Sequence, residues 1–365
     1  MVTKTQPIAP GSMLSVQDIQ AWYLANPFPL GSVDAWMPLE RTEQDSWKTV
    51  SNASYMLNEA ADPLSTHSKI PVAGREGFKS VMGEMASFGK GREMDSKQLQ
   101  RFEQLKQQFA ATRNPGVAQQ LVDFYGNDLA FLRIAMNAER MYLSHALLSN
   151  ACSIGMVAAN SPYLQSLANV VYPVSAWQKD EVATTWANAA SLILDDIETV
   201  KTTLEGYGKF LGKIKINRTW FNHVRKNTQV QKYCATLVQT LTSTQTSPTL
   251  EQINSMMAQY FDADIQFEVV DEKITRALAN GTKVTASPFE DGVAVFTATT
   301  QVGRFAWKPI YIDDVTRETY ESFFLVGNYK NVDPSYSKIY AKAEGFPVID
   351  TFADNFYLRV NGVSW

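Results

Sequence analysis

The chain has 365 residues, of which 45% are hydrophobic and 12% aromatic, and its formal net charge at pH 7 is −4. This length and composition indicate a folded globular protein with a sizeable core and argue against a disordered chain. A net charge this small gives no reason to expect attraction to nucleic acid or to a membrane over the whole surface.

The cysteine content and the first residues of the chain indicate the kind of cellular compartment to expect. Only two cysteines occur, Cys152 and Cys234, in different contexts. No disulfide framework is therefore predicted, and a reducing compartment is expected. The first residues lack the apolar run of a signal peptide, and no run of about 18 apolar residues predicts a membrane-spanning helix.

Residues 1–60 are predicted to form an N-terminal arm. Only three charged residues precede Glu40, and several aromatic residues lie in the segment. A segment with so few charges and so many aromatic rings is expected to lie on another surface. That surface is either the chain's own domain or a neighbouring subunit. Under the second alternative, Trp22 and Trp36 are candidate inter-subunit contacts.

Residues 61–95 are predicted to form an extended loop or hairpin, because five glycines recur between positions 74 and 91 with charges between them. From Lys69 to Lys106, eight basic and five acidic residues leave a local charge of +3. Long loops of this kind are usually functional. The candidate inter-subunit contacts in this loop are Lys69, Arg75, Lys79, Lys90 and Arg92.

A long helix is predicted over residues 115–150, after a shorter one over Ser96–Thr112. Asn114 can cap it and Pro115 suits its first turn. Apolar residues follow at steps of three or four, with Glu139 as the break in the stripe. Roughly 30 helical residues would form a rod of about 45 Å. The stripe comprises Leu121, Tyr125, Leu129, Leu132, Met136, Leu143 and Leu147.

The second half of the chain alternates between helical and strand patterns. The apolar spacing predicts a helix over about 185–205 that ends at two glycines. Further predicted elements are a strand over 213–217, helices over 218–226, 229–241 and from Pro248, strands within 265–305, and strands again after Tyr320.

No catalytic, cofactor-binding or metal-ligating residue is predicted. The three histidines are isolated, and no His-x-x-x-His or Cys-x-x-Cys spacing occurs. The glycine-rich stretches 89–92 and 206–209 lack the form of a phosphate-binding loop. The adjacent acidic pairs, such as Asp195-Asp196, are interpreted as surface or turn residues, and Cys152 as buried and inert. The aromatic and basic residues of 218–226 favour an amphipathic helix over a nucleic-acid contact.

The stretch from Ile265 to Trp307 carries a resemblance to a known family. A strand ends in the acidic pair Asp271-Glu272, a turn follows, and Asp291-Gly292 leads into an apolar strand, with Gly303 shortly after. This order resembles the late part of the major capsid proteins of tailed bacteriophages, close to the branch typified by the lambda capsid protein, which have the Hong Kong 97-type fold.

The resemblance extends from about residue 61 to the C-terminus and implies an α+β fold with named parts. These would be an N-terminal arm (1–60), an extended loop (61–95), a peripheral domain (96–184) with a spine helix over about 115–150, an axial α/β domain (185–320), and closing strands of the peripheral domain (321–365). The family has no catalytic motif and no cofactor to carry over. Lysine cross-linking is not carried over either, since nothing identifies a partner asparagine.

The function that the resemblance implies is structural. Copies of the chain would assemble as hexamers and pentamers into an icosahedral shell in the virion, built in the host cytoplasm around double-stranded DNA that is contacted without sequence specificity. The partners would be the chain itself, a portal protein and a separate scaffold protein, with a decoration protein left open and no membrane involved. Two alternatives remain at this point: a soluble α/β enzyme with an unrecognised site, and another phage structural part such as a tail or connector protein.

Overall fold

The computed structural model describes residues 33–51, 79–112, 114–155, 170–238, 247–277, 282–310, 319–320, 323–331 and 336–365. The helices are α1 (Val33–Trp36), α2 (Ser96–Thr112), α3 (Pro115–Ser149), α4 (Ile193–Gly206), α5 (Arg218–Lys226), α6 (Thr228–Val238) and α7 (Leu250–Phe261), with a short 3₁₀ turn at Ala176–Gln178.

The strands are β1 (Leu39–Arg41), β2 (Ser46–Ser51), β3 (Lys79–Glu84), β4 (Ala86–Met94), β5 (Ser153–Ile154), β6 (Val170–Val171), β7 (Lys179–Glu181), β8 (Lys213–Asn217), β9 (Gln266–Val270), β10 (Ile274–Ala277), β11 (Lys283–Ala286), β12 (Val293–Thr297), β13 (Gly303–Lys308), β14 (Thr319–Tyr320), β15 (Leu325–Asn331), β16 (Tyr336–Ile349) and β17 (Phe356–Arg359).

Two sheets organise the described residues. The larger sheet has the order β1-β13-β16-β15-β14, and β4 also pairs with β16. The smaller sheet has the order β7-β17-β12-β8-β9. Three two-stranded ribbons, β2-β3, β5-β6 and β10-β11, complete the pairing. The mixture of helices and paired strands confirms the predicted α+β class.

Helix α3 runs for 35 residues, as the sequence predicted. The Asn114 side chain caps it by accepting a hydrogen bond from the Gly116 backbone N–H at 2.9 Å. Leu129, Leu132 and Met136 pack on the larger sheet. Glu139, the break in the apolar stripe, forms an ion pair with Arg276 of β10. Burial raises the pKa of Glu139, and the neighbouring arginine opposes that shift.

Both faces of the smaller sheet are buried, which is why β12 reads as an apolar run. Ile214, Ile216 and Phe296 face a core built with helices α4 to α7. On the other face, Val295 and Tyr357 pack in a second core with the C-terminal turns of α3.

The predicted helix over 185–205 begins later than expected, at Ile193. The preceding segment forms turns because the Asn227 amide donates hydrogen bonds to the carbonyl oxygens of Ala189 at 3.2 Å and Ser191 at 2.8 Å. Trp186 is nevertheless fully buried, and its indole N–H donates to Asp196. The prediction of a helical backbone over residues 185–192 was therefore wrong.

Residues 79–94, predicted to belong to a loop or hairpin, form the two strands β3 and β4. β4 belongs to the larger sheet, where it pairs with β16 through nine residue pairs. Gly89 permits this close pairing, since a Cβ atom there would lie 2.7 Å from the carbonyl oxygen of Ala341. The glycines of β4 therefore serve close packing and not loop flexibility. The domain boundaries drawn from the sequence stay predictions.

Candidate inter-subunit surface

The ribbon of β2 and β3 stands apart from the two sheets. Six residue pairs join its strands, from Ser46↔Glu84 to Ser51↔Lys79. The Met85 N–H donates to the Asp45 carbonyl oxygen at 3.1 Å and closes its base. Because side chains alternate along a strand, one face of the ribbon lies on the body of the molecule and the other faces outward.

The inner face is held chiefly by Trp47. Its ring stacks on the rings of Phe346 and Tyr172, with centroids 5.3 Å and 5.8 Å away and interplanar angles of 1° and 13°. The side chain is only 3% exposed. Within the described part of the chain, the buried indole N–H meets no hydrogen-bond acceptor. Ring packing therefore holds Trp47, at the expense of one unmet donor.

Gly83 lies directly opposite Trp47 in the ribbon. A Cβ atom at this position would lie 2.7 Å from Cζ2 of the indole, closer than a packed Cβ can approach. The indole thus lies over the glycine backbone, and any side chain at position 83 would push the ring away.

A polar contact fastens the same face. The buried Thr49 hydroxyl donates to the Asp350 carboxylate at 2.7 Å. Arg304 of β13 forms an ion pair with the same carboxylate at 3.1 Å and donates to the Lys48 carbonyl oxygen at 3.2 Å. The ribbon is therefore tied to β13 and to the end of β16.

The outer face presents apolar side chains to solvent. Met82 is 72% exposed and Val50 is 52% exposed, and the exposed Lys48 is the register partner of Met82. Exposed apolar side chains on a firmly held ribbon are typical of a contact surface. These residues were not predicted from the sequence, where the basic charges of the segment are the more prominent feature. The available signal was one apolar residue on each face of the strand, Trp47 on one and Val50 on the other.

Two of the predicted basic contacts, Lys90 and Arg92, lie on β4 beside α3. Arg92 of β4 forms an ion pair with Asp128 of α3 at 2.7 Å, and its guanidinium lies 4.3 Å from the centroid of the Phe131 ring. Lys90 lies on the same strand, near enough to Glu139 to influence its pKa. Arg92 therefore joins α3 to the larger sheet. Lys79 begins β3, with only its backbone described, and Lys69, Arg75 and Trp22 lie outside the described residues.

Trp36 is an interior residue of its own chain. It is 3% exposed and lies edge-on to His145 and Phe289, with centroids 5.1 Å and 6.4 Å away. The prediction of an inter-subunit contact at Trp36 therefore does not fit its burial. For residues 33–51, the structure favours the alternative in which the segment lies on its own domain.

A buried ion pair that sequence reasoning missed lies beside Trp36. Lys215 of β8 pairs with Glu268 of β9 and donates to the Thr300 carbonyl oxygen at 2.9 Å. Burial lowers the pKa of Lys215 to about 8, and Glu268 opposes that shift. The lysine side chain is fully buried, so no substrate reaches it, and the pair is interpreted as structural.

Three further titratable residues that the structure describes, Cys152, Asp195 and Asp196, also have structural surroundings. Burial raises the pKa of Cys152 to about 12, and its sulfur lies 2.7 Å from the Tyr357 hydroxyl. Asp195 and Asp196 point to different partners, Gln229 and Trp186. Among the residues that the structure describes, no group of three or more His, Cys, Asp or Glu side chains could hold a metal ion. None of the described helices combines the length and the apolar character needed to cross a membrane.

Two solved structures share the fold of this chain. One is a phage-related protein from Bordetella bronchiseptica RB50, with a TM-score of 0.52 and 10% identity, covering 96% of this chain and 99% of that chain. The other is a protein assigned as the capsid protein of a prophage, from E. coli CFT073, with a TM-score of 0.54 and 12% identity, covering 96% of this chain and 100% of that chain.

No protein-family model matches the chain, and no curated protein matches its sequence. At 10% and 12% sequence identity, the structural similarity establishes the fold alone. The expected phage-capsid type of α+β fold is confirmed, whereas the lambda branch stays a prediction.

Proposed function

We propose, from this shared fold, that the chain is a structural protein, the major capsid protein of a tailed phage. Copies of it assemble as hexamers and pentamers into an icosahedral shell that encloses double-stranded DNA. The observation that carries the proposal is the likeness to the prophage capsid protein over 96% of this chain and all of the other. A shell protein acts through its surfaces, so its role is structural and not catalytic.

The outer face of the β2-β3 ribbon supports self-assembly. A closed shell needs one surface that every copy presents in the same orientation to its neighbours. Met82 and Val50 lie on a ribbon that is fixed to the body, and both are exposed. Lys69, Arg75 and Lys79 belong to the chain between or beside these strands and are proposed to join that contact, as is Trp22 of the arm.

The two sheets support a division into two domains. The larger sheet with α3 corresponds to the proposed peripheral domain, and the smaller sheet with α4 to α7 to the proposed axial domain. Four strands cross the limits drawn between these two domains, since β13 and β14 belong to the larger sheet and β7 and β17 to the smaller sheet. Assigning β13 and β14 to the peripheral domain and β7 and β17 to the axial domain would follow the hydrogen bonding.

The partners and location follow from the same proposal. A separate scaffold protein and a portal protein are proposed as partners, with room for a decoration protein. The net charge of −4 suits a wall that encloses DNA without binding it tightly. The proposed location is the virion, with assembly in the host cytoplasm.

Negative-stain electron microscopy of the purified chain, alone and co-expressed with its genomic neighbours, tests the function. We expect closed polyhedral shells or sheets of hexamers. Rings of one fixed small number would indicate a connector protein instead. A uniform population of small particles under every condition would contradict the proposal and favour a soluble enzyme.

A further inference from the structure

The β2-β3 ribbon depends on the body of the molecule for its orientation. A two-stranded ribbon alone is marginally stable in water. Two described hydrogen bonds hold its backbone, one between Met85 and Asp45 at its base and one from Arg304 to the Lys48 carbonyl oxygen. The side chains that pack it on the body come from one face and are those of Trp47, Thr49 and Val81. The packing of this face therefore determines the direction in which the ribbon leaves the body.

Among these contacts, the one between Trp47 and Gly83 tolerates the smallest increase in side-chain size. The indole stacks parallel to the Phe346 ring on the body and is in contact with the glycine on the opposite strand. Phe346 belongs to β16, the longest strand of the larger sheet. One ring thus connects both strands of the ribbon to that sheet, and thickening the contact by a methyl group would tilt the ribbon.

We propose that Trp47 and Gly83 are positioning residues that set the angle of the ribbon on the body, and through it the angle at which one subunit meets the next. This inference rests on the proposed function and deepens it. The outer face, with Met82 and Val50, would make the contact, whereas the inner face determines its geometry. In a closed shell, the angle between neighbours fixes the curvature, so the inner face would control particle size.

The test uses the full chain and compares Gly83→Ala with Gly206→Ala. The second substitution is the matched control, since a Cβ at position 206 meets nothing within 4 Å. A third variant combines Gly83→Ala with Trp47→Phe, because phenylalanine lacks the fused-ring atoms that the new methyl group would touch. Each variant is assembled as the wild type is, and electron microscopy gives the distribution of particle diameters. Circular dichroism and thermal unfolding of the unassembled chain show whether it is folded.

We expect Gly83→Ala to be folded and to give shells of shifted or broadened diameter, or open sheets. The control should give wild-type shells, and the double variant should return toward the wild-type diameter. Folded Gly83→Ala protein that gives the wild-type distribution would overturn the inference. If Gly83→Ala does not fold, a folded double variant that gives normal shells supports the inference, and one that gives aberrant shells overturns it. Absence of shells from the wild type would instead contradict the proposed function.

Discussion

At the scale of single residues, His145 shows how burial controls a titration. Its ring is fully buried beside Trp36 and Phe289. Burial lowers the pKa of His145 to about 4, with Glu272 opposing the shift and Lys215 adding to it. In the unfolded chain, histidine takes up its proton near pH 6.5. Between these two values the unfolded state binds more protons, so stability falls as the pH drops from about 6.5 toward 4.

Replacing His145 by glutamine should remove this dependence. Relative to the wild type, the variant should gain about 2 kcal/mol of unfolding free energy on going from about pH 7 to about pH 5. Urea unfolding of both proteins at the two pH values measures that change. An equal stability difference at both values would show that His145 does not titrate in this way. The comparison cancels the carboxylates that titrate in the same range.

Single residues also show which side-chain environments can be predicted from the sequence alone. The sequence contains Gly83 and Trp47, but their contact depends on a register between strands that are separated by residues 52–78. The prediction that Cys152 is buried is confirmed, because its position after an apolar helix already indicated burial. The Lys215–Glu268 pair was missed, since a lysine between two isoleucines is also the pattern of a half-exposed strand.

At the scale of elements, α1 and β1 are fastened to α3 by a charged contact. The guanidinium of Arg140 is fully buried, lies 2.8 Å from the Asp34 carboxylate and donates to the Met37 carbonyl oxygen at 2.8 Å. It also lies over Phe305 at 5.5 Å. Burial lowers the pKa of Arg140, and Asp34 opposes that shift. The carboxylate therefore compensates a charge that water does not reach.

Asp34→Asn should destabilise the fold by roughly 3 kcal/mol, the lower end of the range for breaking a buried ion pair, because the carboxylate itself is half exposed. The matched control is Glu205→Gln, which removes an exposed pair with Lys201 on α4 and should cost less than about 0.5 kcal/mol. Urea unfolding measures both. Equal, small effects would show that Arg140 does not depend on Asp34.

Elements whose signals are local were predicted well. Helix α3 was predicted from its cap, its proline and its apolar period, and α2 was predicted with the bounds that it has. The turns of residues 185–192 were not predicted, because hydrogen bonds from Asn227, which lies between α5 and α6, hold this segment. Such a tertiary contact leaves no trace in the local periodicity.

At the scale of the whole molecule, the pairing of β4 with β16 decides the architecture. It joins residues 86–94 to residues 337–345 across most of the chain. Glycine content alone suggested a loop here, since no local pattern reveals a partner about 250 residues away. Deleting the whole predicted loop, residues 61–95, would therefore remove a strand of the larger sheet and is expected to unfold the protein.

A narrower deletion tests the role of the segment between β2 and β3. Ser51 and Lys79 are register partners. Replacing residues 52–78 by Asn-Gly would therefore join them through a two-residue turn of the type that hairpins prefer. This variant keeps Trp47, Gly83 and all of β4. We expect a folded chain with an unfolding free energy close to that of the wild type, because both strands of the ribbon are kept. We expect no closed shells, because the segment proposed to contact the neighbouring subunit is removed. Urea unfolding and negative-stain electron microscopy check the two parts, and normal shells from this variant would contradict an inter-subunit role for the segment.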